Sequence, residues 1–409
     1  MIDVTEKSSW RFPLFFLLYF IQGIVIIAIR IIVPLYFLEE TVSLPLTTLV
    51  VGIAMLPWTI KFFWGGFVDY FLQHGRRIFI ALGALLLFIG LLTVSFIDPS
   101  SSLLLFVFFL FLGVCGMVIF DVAVDALAIE VSTPEERGKI SGSMLSGQHT
   151  GKAFGSLFLA VVAQLLGYHY SFFFAGILVL VILPLALFFR EPLHRHAATH
   201  ITDVLLKEFM KKKTQFVSFF ALVSQISYGL LIVVAPLYLR VTLQLDLAHI
   251  GIIIAFFQVA SAVGSLAGGA LADKIGRKIV TFTCLGVSLL VIPFFIVTVR
   301  WEIVAILYGM TGFLNACFFT VILALFMDIT NPRVGATQFS ILASLSNGGM
   351  ILGNTLSGSL IAILGFCRVF LFVAWFLGPP ILLAYFLGFH VIQNKGGDKK
   401  ITATSKKTT

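Results

Sequence analysis

The sequence predicts an all-α membrane protein in which twelve transmembrane helices form two six-helix bundles related by a parallel repeat. Hydrophobic residues make up 59% of the 409 residues and charged residues only 11%, whereas a soluble domain has an apolar share of roughly 45–50%. The chain divides into apolar runs that are each long enough to cross a bilayer as a helix. Short motifs of the first half also return in the second half, in the same order.

The apolar runs follow one another through most of the chain, and we number them as spans 1 to 12. The predicted spans are 13–38, 46–68, 77–97, 102–130, 140–166, 169–190, 215–239, 247–271, 278–299, 301–328, 335–364 and 366–391. They predict four parts of the chain: an N-terminal six-helix bundle (1–190), a cytoplasmic linker with an amphipathic helix (191–214), a C-terminal six-helix bundle (215–391) and a disordered cytoplasmic tail (392–409). The linker has apolar residues at helical spacing, and the tail is polar and rich in lysine.

Basic residues are distributed unevenly between the two sides of the predicted membrane. Of the 27 Lys and Arg residues, 21 lie at the termini or in loops on one side, and three lie in the alternate loops. Cytoplasmic loops carry an excess of Lys and Arg, so we expect a multi-pass protein of the cell (plasma) membrane with both termini cytoplasmic. The net charge of +8 is therefore a topology signal. No basic face with interleaved aromatic residues predicts binding of nucleic acid.

Matching motifs indicate that the two halves repeat one another. Four pairs of positions are about two hundred residues apart, in the same chain order: Val33–Tyr36 with Ala235–Tyr238, Gly52 with Gly251, Asp69 with Asp273, and Pro134 with Pro332. Six spans followed by six in the same membrane orientation form a parallel repeat.

Six ionisable residues lie away from the ends of the spans in the first half, at membrane depth. They are Arg30 in span 1, Lys61 in span 2, Asp121 and Asp125 in span 4, and His149 and Lys152 in span 5. A charge at membrane depth costs on the order of several kcal/mol and therefore needs a partner, a cavity or a function. The second half has only neutral polar groups at comparable depth.

The spacing of these residues predicts one polar cluster. Asp121 and Asp125 are four residues apart, so both side chains leave span 4 on the same face. Counting from the ends of the spans gives the groups that should meet there: the two carboxylates, His149, Lys61 and Lys152, with Arg30 farther out.

Two interpretations of this cluster remain open. The charges can simply pair off and hold spans 2, 4 and 5 together. Alternatively, Asp121 and Asp125 can carry protons, because two acids on one face repel each other unless one binds a proton or both are countered. Counting Arg30, Lys61 and Lys152 against the two acids leaves one positive charge, which favours an anionic or zwitterionic substrate.

Two loops share a charged motif. Between spans 8 and 9 it reads Gly-Ala-Leu-Ala-Asp-Lys-Ile-Gly-Arg-Lys (269–278). Between spans 2 and 3 it reads Gly-Gly-Phe-Val-Asp (65–69), then a longer insert and Gly-Arg-Arg (75–77). Both resemble the loop signature of the major facilitator superfamily, complete in the second copy and stretched by three residues in the first. This resemblance implies a secondary transporter with the fold of that superfamily.

The resemblance also implies a conformational gate at the cytoplasmic ends of the spans. In the superfamily the loop aspartate caps a helix of the other bundle, and the following arginine pairs with an acid at the end of span 4 or 10. Both contacts exist only in the outward-facing state. The residues that match or flank these positions are Asp69, Arg76, Arg77, Glu130 and Arg137 in the first half, and Asp273, Arg277, Lys278 and Asp328 in the second. Ordinary solvated loop charge is the alternative interpretation.

Two further stretches narrow the resemblance. They read Leu-Pro-Trp-Thr-Ile-Lys-Phe-Phe-Trp (56–64) and Asp-Val-Ala-Val-Asp-Ala-Leu-Ala-Ile-Glu (121–130), and Glu-Arg-Gly (136–138) follows. They resemble motifs of the muropeptide permease and acetyl-CoA transporter branch, which implies uptake of a bulky polar or anionic solute with protons. Span 5 lacks the Gly-Pro pair typical of drug/proton antiporters, which disfavours a drug exporter.

Together these patterns predict a secondary active transporter that works by alternating access and takes up an anionic or zwitterionic organic solute with protons. Proton-coupled efflux of amphipathic compounds is the alternative among transporters, and a membrane receptor or scaffold is the alternative outside them. No nucleophile with a base and no clustered metal set stands out, so we expect no enzyme activity, no metal and no cofactor. The expected partners are a small solute, protons and the lipid bilayer, and the expected state is a monomer.

Overall fold

The computed structural model describes residues 2–3, 8–40, 44–190, 201–245, 247–297 and 300–391. These residues are almost entirely helical, apart from a short parallel pairing of Ile2–Asp3 with Phe189–Arg190. The first part of the predicted linker (191–200) and the whole predicted tail (392–409) lie outside the described residues.

Helices α1 to α9 form the six spans of the first half. Span 1 is α1 (Ser8–Ile27), a π-helical turn (Ala28–Ile32) and α2 (Val33–Glu39); span 2 is α3 (Leu44–Thr59) and α4 (Lys61–Tyr70); spans 3, 4 and 5 are α5 (Arg76–Val94), α6 (Leu103–Val131) and α7 (Arg137–Leu166); span 6 is α8 (Tyr168–Val179) and α9 (Ile182–Phe188).

Helices α10 to α16 form the linker helix and the six spans of the second half. The linker helix is α10 (Ile201–Met210); spans 7 and 8 are α11 (Lys212–Val241) and α12 (Leu247–Ile275); span 9 is α13 (Arg277–Val291) with a 3₁₀ turn (Ile292–Ile296); span 10 is α14 (Trp301–Ile329); after a 3₁₀ turn (Pro332–Val334), α15 (Gly335–Trp375), which is interrupted at Gly365, and α16 (Gly378–Val391) together form spans 11 and 12.

The described helices account for twelve spans. Ten are long and apolar enough to cross a membrane, and α3 with α4, bent by 44°, makes an eleventh. The last apolar segment, Pro332–Phe386, counts as one although it has 55 residues, and it reverses at Gly365. Beyond that glycine, Phe370 stacks on Phe295 at 4.9 Å and Tyr385 lies 4.9 Å from the Lys278 ammonium, so the chain returns along span 9. This reversal makes two spans and confirms the predicted number.

Four glycines end the turns between spans 2 and 3, 5 and 6, 8 and 9, and 11 and 12. They are Gly75, Gly167, Gly276 and Gly365, with φ between 73° and 103°. This region is sterically unfavourable for residues with a Cβ. Every third turn between spans therefore ends at a glycine in this conformation.

The two bundles meet along span pairs that the repeat relates to each other. Span 5 packs on span 8, where Gly138 lies against the main chain of Gly269, and span 2 packs on span 11, where Gly65 lies against Ala336. All of these residues lie at the end of the molecule that carries the charged loops of spans 2–3, 4–5, 8–9 and 10–11. We call this end the basic side.

Candidate functional site

Asp69 connects the end of span 2 to the start of span 11. Its carboxylate accepts hydrogen bonds from the main-chain N–H groups of Ala336 (3.2 Å) and Thr337 (2.8 Å), and from the Thr337 hydroxyl (2.8 Å). The first N–H groups of a helix have no partner within the helix, and a carboxylate near them interacts favourably with the helix dipole. Asp69 is fully buried, so this cap is shielded from water.

Asp273 makes the corresponding contact in the second half. Its oxygens accept hydrogen bonds from the main-chain N–H groups of Gly138 (3.0 Å) and Lys139 (2.8 Å) at the start of span 5. Asp273 is partly exposed and, unlike Asp69, accepts no hydroxyl hydrogen bond in the described structure. The two caps cross between the bundles in opposite directions, and both hold the basic side closed.

Arginines at the same end pair with acids at the ends of spans 4 and 10. Arg76 lies 3.0 Å from Glu130, measured from Nε to Oε2. Arg277 forms an ion pair with Asp328, and the Nη1 atom of Arg137 lies 3.1 Å from the same carboxylate. Asp328 therefore contacts arginines from both bundles.

The last basic residue of the second loop points elsewhere. The Lys278 ammonium lies 4.9 Å from the centre of the Tyr385 ring and 5.9 Å from that of Phe282, which is a cation–π arrangement. Lys278 thus packs between spans 9 and 12, away from the caps. Its counterpart in the first loop, Arg77, is half-buried.

A buried ionic cluster lies among spans 1, 2 and 4. The Lys61 ammonium contacts both Asp121 and Asp125, at 2.6 Å from an oxygen of the latter. The Tyr19 hydroxyl donates to Asp125, and the Gln22 side-chain amide donates to Asp121 at 2.6 Å. All five side chains are at most 6% exposed, so one lysine faces two carboxylates out of contact with water.

Two glutamines lead from this cluster to Lys152. The Gln148 amide donates to the Gln22 oxygen at 2.8 Å, and the Lys152 ammonium donates to the Gln148 oxygen at 2.7 Å. Within the described residues, no carboxylate lies within ion-pair distance of Lys152. Lys152 is therefore joined to Asp121 by neutral amides and not by direct charge pairing.

Arg30 lies in the π-helical turn of span 1, and its side chain is exposed. π-helical turns are rare in proteins, and many of those that occur lie at functional sites. The turn that carries Arg30 packs against span 5, which carries Lys152, and Arg30 lies within electrostatic reach of Tyr228 in span 7. Two cations from the first bundle and a phenol from the second therefore share one region between the bundles.

The second bundle contributes neutral polar groups to this region. A small cavity beside Tyr228 lies among spans 7, 9, 10 and 12 of this bundle, and its polar lining includes Ser224, Ser227, Ser288, Thr311 and Asn315. The described residues that line it include no acid and no base.

Comparison with known proteins agrees with this architecture. The family model described as Major Facilitator Superfamily matches residues 15–222 and 217–408. The chain belongs to the major facilitator superfamily. It is 25% identical to the multidrug resistance protein MdtG of Proteus mirabilis over 76% of this chain and 78% of that protein. It is 23% identical to the putative transporter AmpG 4 of Rickettsia conorii over 94% of this chain and 98% of that protein.

Solved structures of the superfamily share the fold. The human organic anion transporter MFSD10 superimposes with a TM-score of 0.74 at 14% identity, covering 93% of this chain and 100% of that one. The proton:xylose symporter XylE superimposes with a TM-score of 0.66 at 15% identity, covering 94% and 97%. The predicted superfamily membership and fold class are confirmed.

The interior of this superfamily member differs from the prediction in one respect. His149 and Lys152 do not join the carboxylates in one cluster. His149 faces the other bundle, where its Nδ1 atom lies 2.7 Å from the Gln258 side-chain oxygen, and Lys152 ends on Gln148. The polar residues of span 5 thus face two different neighbours, span 1 through Gln148 and span 8 through His149. The spacing of charges along the sequence does not show which neighbour each residue faces.

Sequence reasoning also missed two members of the cluster. Tyr19 and Gln22 are three residues apart on span 1, so they lie on one helix face. The signal was present in the sequence, because both polar groups stand in an otherwise apolar run.

Proposed function

We propose that this transporter takes up an anionic or zwitterionic organic solute together with protons by alternating access. The observation that carries the proposal is the separation of charges inside the first bundle. One lysine, Lys61, is shared by two carboxylates, whereas Arg30 and Lys152 lie beyond the cluster without a carboxylate at ion-pair distance among the described residues. Two cations beside neutral polar groups form a site suited to a negatively charged group.

The carboxylates supply the proposed proton site. Lys61 can neutralise one negative charge, so the Asp121–Asp125 pair retains a second one that a proton can neutralise. Tyr19 and Gln22 fix the two carboxylates in place by hydrogen bonds. The alternative, that the ionic contacts only hold spans 2 and 4 together, predicts variants that fold less well but still couple transport to protons.

The caps supply the proposed alternation between two states. We take the basic side as cytoplasmic. Both termini of this cell-membrane protein are then cytoplasmic, and the structure is outward-facing. Residues 1–190 and 215–391 are then the two moving bodies, and the gate residues bias their equilibrium. The solute, protons and lipid are the proposed partners of a monomer.

Transport by purified protein in proteoliposomes with an imposed pH gradient tests this function. We expect accumulation of an organic anion that depends on the gradient, and an at least tenfold loss in Arg30→Gln and in Lys152→Gln, since each removes one of two cations. Arg300→Gln is the matched control, because this exposed arginine does not line the cavity beside Tyr228. Equal uptake by all variants, or uptake that ignores the pH gradient, contradicts the proposal.

Efflux of amphipathic compounds is the second candidate. It is supported by the relatives named multidrug resistance protein MdtG and quinolone resistance protein NorA of Staphylococcus aureus, the latter 29% identical over 32% of this chain and 33% of that protein. Vesicles with the basic side outward separate the two functions. Efflux predicts proton-driven accumulation of lipophilic cations in them, whereas the first proposal predicts proton-driven exit of anions.

A further inference from the structure

The repeat between the two halves is broken at one contact on the basic side. At the start of span 1, the Nη1 atom of Arg11 lies 2.5 Å from the Glu136 carboxylate. The offset that relates Tyr36 to Tyr238 relates Arg11 to Lys213, and the offset that relates Pro134 to Pro332 relates Glu136 to Val334. Lys213 is therefore the cation at the related position, whereas a buried valine stands at the position of the carboxylate.

Lys213 stands among other cations. It is the second residue of α11 and is half-buried, and the charges of Arg277, Arg137 and Lys211 act on it. Within the described residues it makes no hydrogen bond and no ion pair. Lys211 is already paired with Glu208, at 2.5 Å, and the two arginines whose charges act on Lys213 share the carboxylate of Asp328.

The cations around the second gate, formed by Asp273, Arg277 and Asp328, outnumber the acids. The charged residues around the second gate are the cations Arg137, Lys139, Lys213 and Arg277 and the acids Glu135, Asp273 and Asp328. Asp273 is occupied by two main-chain N–H groups. The Nε–H group of Arg137 is buried without a hydrogen-bond partner. A buried donor left without an acceptor is unfavourable, and an anion would satisfy both Arg137 and Lys213.

We infer that Arg137, Lys213 and Arg277 bind a phosphate group at the basic side and that this group stabilises the closed gate. Lys213 begins a membrane span, which places its ammonium at the depth of lipid headgroups. The preceding helix α10 exposes Leu206 and Met210 beside Lys207 and Lys211, as interfacial helices do. The phosphate can come from an anionic lipid headgroup or from a free phosphate.

The proposed site spans both bundles. Arg137 belongs to span 5, whereas Lys213 and Arg277 belong to spans 7 and 9. A phosphate can contact all three side chains only while the basic side is closed. It therefore binds the closed state more tightly than the open state and shifts the equilibrium toward closure. This inference concerns closure alone and does not depend on which solute is carried or in which direction.

The test measures the ratio of closed to open molecules on the basic side. Spin labels at Gln73→Cys and Ile275→Cys, in a Cys367→Ser background that removes the exposed native thiol, report the distance between the bundles in nanodiscs. We compare phosphatidylcholine alone, phosphatidylcholine with phosphatidylglycerol, and phosphatidylcholine with inorganic phosphate. Either phosphate source should raise the closed-to-open ratio about fivefold, the usual contribution of one basic residue at an anionic surface.

Variants assign the response to the site. Lys213→Gln should abolish it and Lys213→Arg should retain it. Lys212→Gln, which removes the neighbouring exposed lysine, should behave like the parent protein. A response to phosphatidylglycerol alone identifies the headgroup as the source, and a response to inorganic phosphate identifies the free anion. If the protein is fully closed in phosphatidylcholine, Asp273→Asn supplies the open population. No response to either source, or an unchanged response in Lys213→Gln, overturns the inference.

Discussion

The carboxylate of Asp69 accepts two hydrogen bonds from Thr337, one from its main-chain N–H and one from its hydroxyl, each 2.8 Å long. A third bond comes from Ala336. These bonds join span 2 of one bundle to span 11 of the other, while Asp273 makes only two bonds at the related position. The two caps of the basic side are therefore unequal.

The inequality predicts an order of effects. Asp69→Asn should weaken the closed state by about 1–2 kcal/mol, in the range for loss of a helix cap, and Asp273→Asn by less, because its carboxylate has fewer partners and is partly exposed. The distance between spin labels at Gln73→Cys and Ile275→Cys, in the Cys367→Ser background, measures the open fraction. Asp98→Asn is the control, because Asp98 is bonded within its own turn to Ser100. A larger effect at Asp273 than at Asp69 contradicts this account.

Removal of either buried acid should uncouple transport from protons. Asp121→Asn and Asp125→Asn each leave Lys61 with one carboxylate, so the pair no longer needs a proton for neutrality. We expect exchange of solute across the membrane to continue and proton-driven accumulation to fall at least tenfold. Efflux and counterflow assays on the same vesicles distinguish the two activities. Proton-driven uptake that survives both substitutions eliminates the carrier role.

Lys61 should be the most costly of these side chains to remove. Lys61→Met leaves two buried carboxylates without their cation, and breaking a buried ionic contact in this way costs about 3–5 kcal/mol. The melting temperature in detergent should fall strongly. Adding Asp121→Asn and Asp125→Asn to Lys61→Met should restore most of it, since the triple variant has no uncompensated charge. Additive losses would show that Lys61 acts through packing and not through charge.

The docking of α10 should depend on pH. Burial alone raises the pKa of the Glu208 carboxyl, but hydrogen bonds from Lys211 and Asn331 outweigh it, and the pKa lies below its ordinary value. A group with a lowered pKa in the folded state stabilises that state above the unfolded pKa, about 4.3 for Glu. This contribution is lost as the pH falls through the lower folded value.

Hydrogen exchange of residues 201–210 measures this docking. Glu208→Gln should increase exchange of α10 at neutral pH and remove its acid dependence. Asp203→Asn changes an exposed acid of the same helix and should have little effect. Equal acid dependence in Glu208→Gln would mean that another group controls the helix.

The positive φ angles predict strain when a side chain is added at two of the turns between spans. Gly167→Ala and Gly365→Ala should each lower stability by about 1 kcal/mol or more, because φ is 103° and 73° there and a Cβ disfavours this region. Gly348→Ala is the control, since nothing lies within 4 Å of an added Cβ and its φ is ordinary. Thermal unfolding in detergent should separate the two turn variants from the control.

Much of the fold follows from the sequence because lipid imposes strict rules on it. Apolar length gives the spans, and the offset between Asp69 and Asp273 gives the relation of the halves. Apolar length also places the boundary between spans 11 and 12 at Gly365, but it does not give the φ of 73° with which that glycine reverses the chain. The site is predicted in part for a similar reason. Asp121 and Asp125 share a face by spacing alone, whereas the contact of His149 with Gln258 depends on how two bundles dock.

The Asp121–Gln22–Gln148–Lys152 chain has a consequence for how two binding events could sense each other. An amide offers a donor at one end and an acceptor at the other. When Asp121 takes up a proton, its carboxyl group can donate a hydrogen bond to Gln22. The Gln22 side-chain amide would then rotate so that its oxygen faces Asp121, and the Gln148 amide would rotate in turn. Lys152 would then meet N–H in place of oxygen and be released toward an incoming negative group. The signal between Asp121 and Lys152 would then be carried by the direction of the hydrogen bonds of two neutral amides.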